Sequence, residues 1–130
     1  MIYGIGSDIV AVERIRRLLT AYGDTFARRI LAPEEWDAYR ASANPANVLA
    51  KRFAAKEALA KALGTGLRHP VSLRNISISH NELGRPEFSL SPELAQLLRQ
   101  RGVGRQHLSL SDEKDLACAF VVLEQSIGTS

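Results

Sequence analysis

The chain has 130 residues, 45% of them hydrophobic and 24% charged, with a formal net charge of +3. That mixture suits one globular domain, residues 1–130, with a core large enough to fold without staples. No apolar run is long enough to span a bilayer, the single Cys118 cannot close an intrachain disulfide, and aromatics at 6% offer no stacking platform for bases. Membrane and nucleic-acid roles are therefore disfavoured. The opening "MIYGIGSDIV" lacks the charged start and small-residue cleavage site of a signal peptide, which points to the cytoplasm. The modest basic excess suits an acidic partner.

In chain order, "IYGIGSDIV" (2–10) reads as a strand whose glycines let a backbone or ligand come close. From Val12, the apolar residues Val12, Ile15, Leu18, Leu19 and Tyr22 recur at helical spacing until Gly23-Asp24. "TFARRIL" is a short helical or irregular piece. Pro33 suits a first helical turn, with Glu34 and Glu35 near its positive end and Trp36 packing that helix. "ASANPAN" reads as a loop, followed by a helix from about Asn47 to Leu63. "VSLRNISISH" and "EFSLS" alternate as strands around the turn "NELGRP". Ser91 caps a further helix with Pro92 at its first position, and Gly102 or Gly104 ends it. "HLSLS" and "LACAFVVLE" form a last pair of strands around "DEKD", with Cys118 in the core. "QSIGTS" is expected to fray. The sum is an α+β domain: a mostly antiparallel sheet wrapped by helices.

The helix over 47–63 raises a question of charge. Ala50, Phe53, Ala54, Glu57, Lys61 and Gly64 share one face, while Val48, Leu49, Ala55, Leu59, Ala62 and Leu63 share the other. Both faces are apolar in character, so the helix is expected to be buried on two sides. Glu57 and Lys61 then have two readings. As an i,i+4 surface ion pair they contribute only about 0.2–0.5 kcal/mol. Alternatively, Glu57 meets Asp8, which sits in the apolar first strand on the face of Ile2, Gly4, Gly6 and Val10. A buried lone carboxylate is costly, so Asp8 either caps the following helix or shares a hard cation with Glu57. In the second case Lys61 and the amides of Gly64-Thr65-Gly66 would face the same phosphates.

"GIGSDIVAVERI", "RFAAKEALAKALGTG" and "SLSDEKDLACAFVVLE", with "NELGRP" between the last two, resemble the signature segments of the holo-[acyl-carrier-protein] synthase family, small bacterial 4′-phosphopantetheinyl transferases. The similarity runs from Met1 to about Glu124. It implies transfer of the phosphopantetheine arm of coenzyme A to a serine of apo-acyl carrier protein, with adenosine 3′,5′-bisphosphate as the other product, in support of fatty acid biosynthesis. It implies magnesium held by Asp8 and Glu57, with Glu57 and Lys61 as catalytic groups. Arg52, Phe53, Lys61, Gly64, Thr65, Gly66, Gly84 and Pro86 would line the coenzyme A cleft. Arg14, Arg17 and Arg28 would meet the acidic carrier. It also implies a homotrimer with a site at each subunit interface.

One position departs from the pattern. Many members carry histidine where this chain has Asp112, and proteobacterial ones read Asp-Glu, as here with Asp112-Glu113. No phosphate contact is transferred to Asp112. His107 is expected to be structural, and His69 and His80 have no metal-ligand spacing. The competing class is a basic, non-catalytic binding module, to which the carboxylates of Asp8 and Glu57 would be of no use.

Overall fold

In the computed structural model, which describes residues 1–127, strand β1 (Ile2–Ala11) hands the chain directly to helix α1 (Val12–Tyr22). Gly23, at φ +58°, turns it into α2 (Asp24–Ile30). A 3₁₀ turn at Pro33–Glu35 precedes α3 (Trp36–Ala41) and the longest helix, α4 (Pro45–Leu63). Strands β2 (Ile76–His80) and β3 (Pro86–Leu90) follow, then α5 (Pro92–Gln100), β4 (Val103–Glu113) and β5 (Leu116–Gln125). The anticipated α+β order is the observed one. The fraying expected of "QSIGTS" concerns, in its last three residues, a part outside the described ones.

The strands divide into two antiparallel groups. β5 lies between β1 and β4, and β2 and β3 form a separate hairpin. Helix α4 packs on β1 and β5. Its sequence explains how closely. A Cβ on Gly4 would stand 2.1 Å from the Ala62 carbonyl oxygen, and one on Gly6 would stand 2.1 Å from that of Ala58. Glycines facing alanines thus bring strand backbone against helix backbone. Leu49, Leu59, Val121 and Leu123 fill the space around this seam and are fully buried. Each such side chain contributes about 1.5–3 kcal/mol by leaving water.

α4 begins two residues earlier than its spacing predicts. Asn44 caps it by accepting from the Asn47 amide at 3.3 Å, and Pro45 takes the first position. Ile2 is exposed rather than inward, because the β1–β5 register shifts between Ile2 and Gly4. Tyr22 also faces outward, at the end of α1. Cys118 is half-buried on the sheet face opposite α4, not in the core. That outer face carries Ile5, Ile9 and Phe120, which are 58%, 66% and 47% exposed.

Candidate active site

Asp8 and α4 form the centre of the site. Alternation along β1 turns Asp8 to the helix side with Gly4, Gly6 and Val10. Lys61 Nζ donates to Asp8 Oδ1 at 3.1 Å and to the Ser7 carbonyl at 3.0 Å. The i,i+4 reading therefore fails: Lys61 leaves Glu57 for β1. The capping reading fails too, since the N-cap of α1 is Ala11 and no side chain caps the helix. Glu57 is half-buried, and burial first, then the Asp8 charge, raises its pKa, while Lys61 pulls it down. Each carboxylate thus lies in the other's field, with one cation to balance two anions.

Among the described residues no three His, Cys, Asp or Glu side chains gather as ligands. Two carboxylates fit magnesium, which keeps several waters and takes phosphate oxygens rather than a full protein cage. One turn before Glu57, Phe53 is half-buried on the same stripe. One turn beyond Lys61, Gly64 ends α4 in the left-handed region at φ +79°, and Gly66 follows at +65°. Thr65 Oγ1 donates to the Gly66 carbonyl at 2.8 Å.

Gly84 and Pro86 lie elsewhere. Asn81 fixes their turn by accepting at Oδ1 from the amides of Leu83 and Arg85, both at 2.9 Å. The turn and residues 106–110 of β4 line a cavity of about 640 Å³. Asp8 belongs to β1, and β1 and β4 are the two edges of the three-stranded sheet. A single chain therefore carries two separate walls.

Arg52 requires a correction. Its side chain is 7% exposed, and Nη1 donates to Glu35 Oε2 at 2.6 Å and to the Ile78 carbonyl. It is placed inside the molecule, not along a cleft. Glu35, itself 1% exposed at the side chain, also accepts from Lys56 Nζ at 2.5 Å, and from the Ala32 and Ile78 amides at 2.8 and 2.9 Å. Lys56 is completed by the carbonyls of Ile30 and Leu73 at 2.6 and 2.9 Å. Burial lowers its pKa to about 8, against the pull of Glu35. Sequence reasoning read Glu35 only as a favourable charge at a helix start. The signal for it was on α4: two cations at 52 and 56 on a helix apolar all round require a buried anion.

Arg14, Arg17 and Arg28 are exposed on α1 and α2. Arg17 lies 3.7 Å from Glu13, whereas Arg14 and Arg28 pair with no carboxylate among the described residues. Trp36 meets Tyr39 edge-on at 5.6 Å and lies under Arg40. His107 Nε2 lies 2.5 Å from Glu124 Oε2, and Asp112 faces Asn47 and Lys51 of α4.

A carboxylate pair beside a lysine and a glycine turn marks a phosphate-handling class of protein. Comparison with known proteins agrees, because the family model for the 4′-phosphopantetheinyl transferase superfamily matches residues 4–121. The chain belongs to that superfamily. It is 61% identical over 125 residues to a holo-[acyl-carrier-protein] synthase of Nitrosospira multiformis, covering 96% of this chain and 100% of the relative. The crystal structure of holo-[acyl-carrier-protein] synthase from Neisseria meningitidis superposes with a TM-score of 0.93 at 55% identity, covering 96% of this chain and 100% of that one. A Bacillus anthracis holo-(acyl-carrier-protein) synthase, solved in complex with CoA (3′,5′-ADP), superposes with a TM-score of 0.80 at 37% identity, covering 97% and 99%.

Proposed function

We propose that this chain is a magnesium-dependent holo-[acyl-carrier-protein] synthase. It moves the 4′-phosphopantetheine arm of coenzyme A to a serine of apo-acyl carrier protein and releases adenosine 3′,5′-bisphosphate. The observation that carries the reading is the meeting of Asp8, Glu57 and Lys61 where β1 crosses α4. Asp8 and Glu57 would hold magnesium, which when bound neutralises charge on the pyrophosphate. Lys61 supplies a further cation to the same phosphates. Phe53, one turn before Glu57, and the 64–66 turn, one turn beyond Lys61, would flank the bound phosphates. Glu57, whose burial makes it a stronger base than an ordinary carboxylate, takes the proton of the attacking serine. The carrier brings that serine, and Arg14, Arg17 and Arg28 meet its acidic surface.

The wall at residues 84–86 lies on the far edge of the sheet from Asp8. A complete cleft in this reading uses the turn of a second copy, with the apolar outer face of β1 and β5 as the covered surface of a homotrimer. The proposed setting is the cytoplasm, in fatty acid biosynthesis. Among the described residues, no helix is long and apolar enough to cross a membrane.

Mass spectrometry of apo-acyl carrier protein incubated with the chain, coenzyme A and magnesium tests the activity. The expected result is a mass gain equal to phosphopantetheine, lost with Asp8→Ala and with Glu57→Ala. An unmodified carrier, or full activity of either variant at saturating magnesium, would overturn the reading.

A further inference from the structure

Helix α4 is held from two sides, and its chemistry lies on a third. At about 100° per residue, Ala58 and Ala62 share the side against β1, Arg52 and Lys56 a second, and Glu57 and Lys61 the remaining one. The contact with β1 is glycine against alanine. It sets how close the helix comes, but it has no side chain to fix the helix in rotation or along its axis. The leucines around it pack without directional bonds.

The second contact is directional. Glu35 grips the helix at two points one turn apart: Oε2 accepts from Arg52 Nη1 at 2.6 Å, and Oε1 from Lys56 Nζ at 2.5 Å. Each oxygen also accepts a backbone amide, from Ile78 at 2.9 Å and Ala32 at 2.8 Å, so the carboxylate cannot swing. Arg52 goes on to the Ile78 carbonyl of β2, and Lys56 to the carbonyls of Ile30 and Leu73. The helix is thereby tied to the end of α2, the 3₁₀ turn and β2. A buried ionic cluster of this kind is a weak source of stability beside apolar side chains of the same volume. What it does supply is geometry, because charge-assisted bonds are short and oriented.

We propose that Glu35, acting through Arg52 and Lys56, is a positioning residue for the transferase site: it fixes the rotation of α4 that turns Glu57 and Lys61 toward Asp8. The inference rests on the transferase reading above. Lys56 and Glu57 are consecutive, so a rotation that frees the lysine from Glu35 also carries Glu57 out of place. Lys61 follows on the same rigid helix, and with it the 3.1 Å contact to Asp8. Glu35 touches neither substrate nor metal in this arrangement. Its effect reaches them through the helix.

Arg52→Met tests this, because it removes one grip and leaves Glu35 with Lys56 as its counter-ion. One readout is the magnesium concentration giving half-maximal transfer, taken well below the melting temperature. It should rise about tenfold, the scale of losing an outer partner of a metal site. The other is the increase in melting temperature that magnesium gives, which should shrink. The KM for carrier protein should not move, since the contact of Lys56 with Ile30 of α2 is kept. Nη1 alone makes both Arg52 bonds, so Arg52→Lys, with one donor nitrogen on a similar stem, should recover most of the loss. A network that only stabilises would lower the melting temperature and leave both magnesium readouts as in the parent, and that result overturns the proposal. A raised coenzyme A KM with unchanged magnesium dependence overturns it too, by placing Arg52 against the substrate. Should Arg52→Met not fold, Glu35→Asp is judged on the same readouts, since it keeps every charge on an arm too short to hold all four donors. Should the parent chain transfer nothing from coenzyme A, the transferase reading has failed. The magnesium-induced shift then still decides: a smaller shift in Arg52→Met supports the positioning role, and an equal one overturns it.

Discussion

Glu57, proposed above as metal ligand and base, carries a charge that works against the fold. Its folded pKa lies above the usual 4.5, because burial and the neighbouring Asp8 both disfavour its charge. Between 4.5 and the raised folded value, the native state holds the proton more tightly than the unfolded chain. Stability therefore falls as pH rises through that window and stays lower above it. In metal-free buffer, Glu57→Gln should melt at a higher temperature than the parent at about pH 7, with the difference closing below about pH 4.5. Magnesium should raise the melting temperature of the parent and leave the variant almost unmoved. A variant less stable than the parent at neutral pH would contradict this account. Glu35 is the opposite case. It balances two buried cations and four of its contacts are hydrogen bonds of 2.9 Å or less. Glu35→Gln should cost about 3–5 kcal/mol in urea unfolding, because Arg52 and Lys56 are left without their anion. A loss below about 1 kcal/mol, the scale of a surface pair, would show that the network is not the anchor described.

At the scale of elements, the β1–α4 seam sets the geometry of the site. Gly6→Ala would force a Cβ to within 2.1 Å of the Ala58 carbonyl and 2.7 Å of the Ala62 amide. The helix must move away, which costs about 1–3 kcal/mol as overpacking and pulls Lys61 off Asp8. Turnover should fall with stability. Gly84→Ala meets nothing within 4 Å and is strained only through its φ of +82°, so it should cost about 1 kcal/mol. Equal melting temperatures for Gly6→Ala and the parent would refute the close approach. Helix periods, turn glycines and the caps at Ser91 and Pro92 were legible in the sequence, because each depends on near neighbours. The close approach was half legible: glycines alternate on β1 and alanines recur on α4, yet nothing local pairs them. The Glu35 network was not legible, since residues 35, 52, 56 and 78 meet only after folding. The same holds for Arg52, whose motif position says nothing about burial. The nearness of Asp8 to Glu57 was an open alternative in the sequence, since only tertiary packing brings β1 against α4.

For the whole molecule, charge and apolar surface are separated. The exposed Arg14 and Arg28 lie on α1 and α2, while Ile5, Ile9 and Phe120 lie on the sheet face away from α4. In the proposed reading the first surface meets the acidic carrier; exposed charges act mainly on association and are screened by salt. Arg14→Glu should raise the KM for carrier protein at least about tenfold, the scale of a reversed steering charge, and leave that for coenzyme A unchanged. Rising salt should reduce the efficiency of the parent more than that of the variant. A higher coenzyme A KM with an unchanged carrier KM would move the patch to the nucleotide site.

The placement of the two walls on opposite edges of one sheet has a genetic consequence. If a working cleft takes Asp8, Glu57 and Lys61 from one chain and the 84–86 turn from the next, two separately dead alleles can rescue each other. Lys61→Ala spoils one wall and Gly84→Val the other. Each alone gives assemblies with no intact cleft. Co-expressed in equal amounts and mixed at random, they should restore roughly a quarter of the parental clefts, since each cleft needs one particular pairing of neighbours. Such rescue would appear only when the two chains fold together, and simple mixing of finished assemblies should give it slowly, at the rate of subunit exchange. Strict absence of rescue on co-expression would mean that each chain closes its own cleft.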